Sequence, residues 1–388
     1  MITWDDVYRL VVAMIPLYFA LLLGYGSVKW WHLFTPEQCD AINTLNYYFI
    51  TPLFTFEFTS NVNPYAWNYP FIGADVISKS IILVVLVFWA NCASKGSFSW
   101  SITSFSMATL NNTLVVGVPL LKAVYGQMGA DLVVQSSVLQ SILWFMTVLF
   151  MHELRRQREE FGSNPAVADD SQVPPVEMVK DLELGRQMPE FSSNPALDHD
   201  SLVPSVEMAK DLEGSRVVVK STKPSFWLLM KMVWIKLARN PNSYACVVGL
   251  AWSCISNRWH IQMPSIVHGP ILILSKAGSG IAMFCMGLFM ALQAKLITCG
   301  AGLTLLGMAL RFIVGPVAMA AGCFVVGLRG DVLRVAIIQA ALPQSITSFV
   351  YAKEYEVHAN VLSTAVIFGT IVSLPVLIAY YATLDLVH

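Results

Sequence analysis

Two short stretches place polar groups inside sequence that is otherwise apolar enough for a bilayer. Residues 340–349 read AALPQSITSF and residues 108–114 read ATLNNTL. Proline lacks an N–H and its ring clashes with the carbonyl one turn back, so a helix carried through Pro343 breaks or kinks. Backbone groups freed at membrane depth are tolerated only where they are buried in protein or line a wet cavity. Asn112, Thr113, Gln344, Ser345 and Thr347 can satisfy such groups or a ligand. If both segments break near mid-membrane and cross, two half-helix N-termini aim their positive dipole ends at one spot, which suits a carboxylate. That arrangement calls for no buried lysine or arginine. Either stretch alone also reads as a kink whose polar residues bond to neighbouring helices. Their recurrence favours a substrate site.

Other polar residues in apolar runs are fewer. Asp75 and Lys79, in GADVISKS, stand four residues apart and share one helix face. Charges inside a membrane are functional candidates by default, with a snorkelling ion pair near the helix end as the alternative. Gln140 interrupts VLQSILWF, and Glu57, Lys276 and Arg311 are read as groups at the membrane interface. The seven cysteines are scattered without paired or metal-ligand spacing, and neither a metal nor a cofactor is expected. A phosphate-cradling glycine loop, an HExxH zinc motif and a nucleophile elbow are all missing, so the chain is not read as an enzyme. A net charge of −1 offers no basic face for nucleic acid.

The elements that must carry these residues are membrane helices. The chain is 56% hydrophobic and 13% charged, with a mean hydropathy of +0.60. Soluble domains carry about 25% charged residues. Ten apolar runs are long enough to span a bilayer: 7–28, 37–59, 70–92, 100–125, 130–152, 226–256, 265–292, 296–327, 332–355 and 359–384. The expected fold is therefore all-α and integral to the membrane. A polar stretch rich in Pro, Ser and acidic residues separates the first five runs from the last five, giving an organisation of 1–154, 155–224 and 225–388. Within that stretch a 24-residue segment starting at Glu160 recurs from Glu190 with 17 identities, the mark of a tandem duplication in a disordered linker. Five spans per half force the second half to insert upside down, which predicts two inverted repeats with interrupted, crossing helices four and nine. Lys and Arg concentrate on the linker side, so the linker is expected in the cytosol. The run FWLLMKMVWIKLARNPN after it, with Lys231, Lys236 and Arg239, suggests an interfacial amphipathic start.

LFTPEQCDAIN, GADVISKS, LNNTLVVGVPLLKAVYG, VLQSILWF, SKAGSGIAMFCMGLFMALQ, GDVLRVAIIQAALPQSITSFVYAKEY and LSTAVIFGTIVSLPVLIAYY together resemble the PIN-FORMED auxin efflux carriers of plants. The resemblance covers both transmembrane halves, and the modest linker is similar to the short-loop branch, whose members tend to reside in the endoplasmic reticulum. It implies a homodimeric ten-helix carrier in the lipid bilayer. Helices 1, 2, 6 and 7 would form a scaffold past which helices 3–5 and 8–10 move as an elevator. The implied substrate is indole-3-acetate, exported from the cytosol without obligatory ion coupling. By the same resemblance Asn112 meets the substrate carboxylate, Thr55 and Gln140 line the site with Gln344 nearby, and Ile346 forms an apolar wall. Asp75 with Lys79 would be a support site, and Asn111 and Pro343 would occupy the crossover. Many members have proline where this chain has Asn111, and PQGIVPF where it has PQSITSF, so Ser345 and Ser348 replace a glycine and a second proline. Rival readings are a sodium- or proton-coupled organic-anion carrier and an auxin-binding membrane sensor.

Overall fold

The computed structural model describes residues 4–93, 96–162, 226–293 and 299–386. The duplicated segment beyond Gly162, together with Lys95 and Lys295, lies outside the described residues. Fifteen α-helices follow one another among the described residues: α1 (Trp4–Lys29), α2 (Pro36–Leu45), α3 (Thr51–Ser60), α4 (Tyr69–Cys92), α5 (Phe98–Thr109), α6 (Val118–Leu139), α7 (Phe145–Gly162), α8 (Phe226–Arg239), α9 (Pro241–Trp259), α10 (Ser265–Leu292), α11 (Ala301–Ala309), α12 (Gly315–Val326), α13 (Gly330–Ala340), α14 (Ile346–Glu354) and α15 (Ala359–Leu386). Single π-helical turns join α2 to α3, α6 to α7 and α11 to α12, and a fourth, Thr113–Gly117, leads into α6. Helix starts are set by side-chain caps: Thr35 and Gln38 form a capping box, while Asn68 and Ser97 accept from Phe71 and Trp100 N–H groups.

Six helical stretches among the described residues are long and apolar enough to cross a membrane: Tyr8–Lys29, Tyr69–Cys92, Thr113–Glu159, Ser265–Leu292, Ala301–Val326 and Ala359–Leu384. The longest is not one rod. Gly126 has φ of 65°, a conformation that costs glycine little, and the chain turns there so that Gly129 comes back against the Leu121 carbonyl. Of the other expected runs, 37–59 is helical throughout with a π turn at Asn46–Ile50, and 100–125, 226–256 and 332–355 are divided. Residues 226–256 split at Asn240 into α8 and α9, and α8 buries Val233 and Leu237 while exposing Trp227 and Trp234, as an amphipathic helix does. The polar linker was expected from residue 155. Helix α7 instead continues to Gly162, supported by an Arg155–Glu159 pair at 2.7 Å.

Packing joins helices from distant parts of the chain. Helix α1 runs along α10, where Gly24 and Gly287 bring backbone onto backbone: a Cβ at either would collide with the carbonyl of Phe284 or Leu21. Helix α3 packs against α9 and α10, α4 against α12, and α11 and α14 against α15. Large apolar side chains such as Ile266, Ile273, Leu305 and Phe324 stay exposed on the outside, where lipid takes the place of a core.

Candidate substrate site at the helix crossing

Helix α5 stops at Thr109, Leu110 is extended, and helical structure resumes at Thr113. Helix α13 stops at Ala340 and α14 begins at Ile346. The two gaps lie side by side, antiparallel, with Asn111 opposite Gln344. Asn112 N–H donates to the Pro343 carbonyl at 2.9 Å and Ser345 N–H to the Leu110 carbonyl at 3.1 Å. Two interrupted helices thus complete each other's backbone bonding, which is what low-dielectric surroundings demand.

Side chains meet further groups at the gaps. The Gln140 amide pairs with the backbone of Asn111 as a second strand would: Asn111 N–H donates to Oε1 at 2.9 Å, and Nε2 donates to the Asn111 carbonyl at 2.7 Å. Asn111 Nδ2 donates to the Gln339 carbonyl at 2.6 Å. Gln344 is fully buried, and its Nε2 donates to the Ser106 carbonyl at 3.0 Å and to Ser348 Oγ at 2.7 Å. Ser348 Oγ in turn donates to the Ser345 carbonyl at 2.6 Å. Two of the three departures that the resemblance implies, Ser345 and Ser348, fall here. Ser345 takes an ordinary extended φ of −68°, so glycine is not required, and the Ser348 hydroxyl donates to the Ser345 carbonyl, a bond for which proline has no group.

Arg311 is the residue that sequence reasoning misplaced. It does not sit at an interface but is 1% exposed and stands against both gaps. Its Nε donates to the Leu342 carbonyl at 2.6 Å, one terminal nitrogen to the Met107 and Leu110 carbonyls at 3.2 and 3.4 Å, and the other to the Ala340 carbonyl at 2.7 Å and Asn111 Oδ1 at 2.6 Å. The dipole arrangement calls for no buried cation, yet the crossing holds one. A signal was present: Arg311 lies near the middle of the apolar run 296–327, where snorkelling to either surface is out of reach.

Asp75 and Lys79 form a buried ion pair at 2.9 Å, with side chains 1% and 7% exposed, so the snorkelling alternative is excluded. Asp75 also accepts from Trp144 Nε1 at 3.0 Å and from Ser136 Oγ at 3.5 Å. Gln339 Nε2 donates to the same Ser136 hydroxyl at 2.5 Å, linking the pair to the crossing. A cavity of about 10 Å³, roughly one water, lies between Asp75, Lys79, Asn111, Gly315 and Gln339. Gly315 is required there, since a Cβ would stand 2.6 Å from the Ala108 carbonyl.

Asn112 differs from its neighbours. Its backbone N–H is bonded and its carbonyl accepts from Val116 and Gly117 N–H at 3.4 and 3.3 Å, yet its half-buried side-chain amide bonds to no other described residue. Ile346 is half-buried at the first turn of α14. Thr55 is fully buried elsewhere, its hydroxyl donating to Asn242 Oδ1 and so tying α3 to α9. A cavity of about 410 Å³, large enough for a drug-sized organic molecule, lies between α3, α6 and α10, lined by Phe54, Glu57, Lys122, Asp131 and Lys276 among others. Glu57 accepts there from His268 Nε2 at 3.2 Å.

Residues 9–381 match the family described as membrane transport protein. The chain belongs to that family. It is a transporter rather than an enzyme. Among curated relatives, the carrier is 56% identical to auxin efflux carrier component 5 of Arabidopsis thaliana over the whole of both chains. It is likewise 56% identical, over all of both chains, to probable auxin efflux carrier component 5c of Oryza sativa subsp. japonica. Auxin efflux carrier component 7 of Arabidopsis thaliana is 31% identical over 619 aligned positions, again with both chains fully covered.

Proposed function

We propose that the carrier moves the indole-3-acetate anion out of the cytosol. The observation that carries this reading is the crossing itself. Two helices, one resuming at Thr113 and one beginning at Ile346, start directly after the paired gaps, and the Asn112 amide beside them is uncommitted. Helix N-termini present unpaired N–H groups and a partial positive charge to an anion. The carboxylate binds there and at the Asn112 amide, while the indole lies on apolar walls that include Ile346. Gln140, Gln344, Asn111 and Pro343 shape the crossing from behind, and Asp75 with Lys79 supports it through Ser136 and Gln339. The printed names of the relatives, all auxin efflux carriers, support auxin as the class of cargo.

The same reading extends to architecture. Ten spans in two inverted five-helix repeats are supported by a packing pattern that exchanges halves: span one on span seven (α1 on α10), span two on span six (α3 on α9), and span three on span eight (α4 on α12). Spans one, two, six and seven form the scaffold of a homodimer. The remaining helices carry the crossing past it as an elevator, with no obligatory ion coupling. The linker faces the cytosol, and the membrane is that of the endoplasmic reticulum. The test is radiolabelled indole-3-acetate flux in vesicles containing the purified protein, with and without sodium and proton gradients. Saturable flux in the absence of both gradients is expected. Absence of flux, or an absolute need for either ion, overturns the reading.

A further inference from the structure

The crossing gathers four helix ends, and only two of them favour an anion. The C-termini of α5 and α13 point negative dipole ends at the place where the N-termini at Thr113 and Ile346 point positive ones. Each end is worth roughly half an elementary charge, so the four cancel and the crossing by itself has no net preference for a carboxylate. The side chains shift this balance. Lys79 is neutralised by Asp75 at 2.9 Å. Under the two-fold reading α4 corresponds to the helix beginning at Ala301, and both cations stand ten residues past the first residue of their helices, 69 to 79 and 301 to 311. The position four before Arg311, matching Asp75, is Gly307. Arg311 therefore repeats the cation of the first half without its carboxylate.

Where the guanidinium spends its protons completes the argument. It has five N–H donors, and the five acceptors found are the carbonyls of Met107, Leu110, Ala340 and Leu342 and the Asn111 side-chain oxygen, all neutral. The four carbonyls belong to the two helix C-terminal ends and the gaps that follow them. We infer that Arg311 is a positioning residue for substrate: its full charge masks both C-terminal ends, and the two N-terminal ends are left to act on the carboxylate. Arg311 is held by the Asn111 side chain and the Asn112 side-chain amide bonds to no other described residue, so Arg311 stands behind the gap from which Asn112 meets the ligand. This inference rests on the proposed substrate class.

The decisive comparison is Asn111→Asp against Asn111→Ala, read as equilibrium binding of radiolabelled indole-3-acetate to the purified full chain, with thermal unfolding measured in parallel. Both variants lose the Nδ2 donor to the Gln339 carbonyl; aspartate keeps an acceptor for Arg311 and cancels its charge, whereas alanine removes the acceptor and leaves the charge. Masking predicts that Asn111→Asp weakens binding about tenfold or more beyond Asn111→Ala, the size expected of one unit charge several Å away at intermediate dielectric. A purely structural role predicts that the aspartate variant binds as well as the alanine variant or better, and that result overturns the inference. Arg311→Lys and Arg311→Gln supply an independent arm. The lysine variant is expected within about threefold of the parent affinity and the glutamine variant about tenfold or more below it; equal losses in two folded variants also overturn the inference. A parent protein that neither binds nor moves indole-3-acetate defeats the substrate reading instead, which separates the two failures.

Discussion

The two gaps at the crossing are built differently. The second, between Ala340 and Ile346, contains Pro343, which would interrupt a helix in any surroundings. The first, between Thr109 and Thr113, contains no proline, and nothing local forbids a helix through Leu110, Asn111 and Asn112. It is held open by partners: Gln140 on both backbone groups of Asn111, the Pro343 carbonyl on Asn112 N–H, Ser345 N–H on the Leu110 carbonyl, and Arg311 on the Asn111 side chain. One break is written into the chain and the other is imposed on it. The imposed one also carries Asn112, the side chain left uncommitted.

This asymmetry is open to direct attack. The largest effect is expected at Asn112, where Asn112→Ala removes the free amide and touches no fastening contact. Flux of indole-3-acetate into vesicles should fall by tenfold or more, about the 1.4 kcal/mol or above that a hydrogen bond to a charged group supplies, while the unfolding temperature stays within a few degrees. Next comes Gln140→Leu, which strands a buried N–H and a buried carbonyl. A loss of about 2–5 kcal/mol in stability is expected, checked by thermal unfolding in detergent. An unaltered melting curve would mean that the first gap stays open without its surrogate strand.

Asn111→Pro sharpens the comparison by giving the first gap a proline of its own, as the second has. Proline cannot donate to Gln140, bond to the Gln339 carbonyl or accept from Arg311, so a cost of about 2–3 kcal/mol is expected in this background. A stabilised variant would show that backbone restriction outweighs the fastening network. The smallest effect is expected for Pro343→Ala. The second gap keeps its bonds from Asn112, Ser345 and Arg311, leaving chiefly the restriction of the unfolded chain, about 0.4–1 kcal/mol. If this variant lost more than the Gln140 variant, the ranking of local against imposed breaking would be reversed.

The crossing was legible to unequal depth. Polar runs at 108–114 and 340–349 in apolar sequence marked both gaps, because such groups at membrane depth demand partners. The Asp75–Lys79 pair was legible from its spacing on one helix face, and the structure buries it at 2.9 Å. The identity of the partners was not legible. Gln140 read as a site-lining side chain spends both amide atoms on Asn111, 29 residues away, and Arg311 read as an interface charge reaches Asn111 across 200 residues. Thr55, assigned to the site by resemblance, bonds instead to Asn242.

Hydropathy, a single proline and the i,i+4 charge spacing are properties of a segment and its solvent. They sufficed to establish a helical membrane chain, the second gap and the pairing of Asp75 with Lys79 on one helix face, whose burial the packed structure decided. Pairing of distant backbone groups is a property of the packed state alone. Only tertiary structure decided that the first helix breaks without a proline, that Gln140 closes that break and that Arg311 stands behind both. A helix opens in apolar surroundings only when every freed donor and acceptor finds a partner, and those partners come from helices that sequence order keeps far apart.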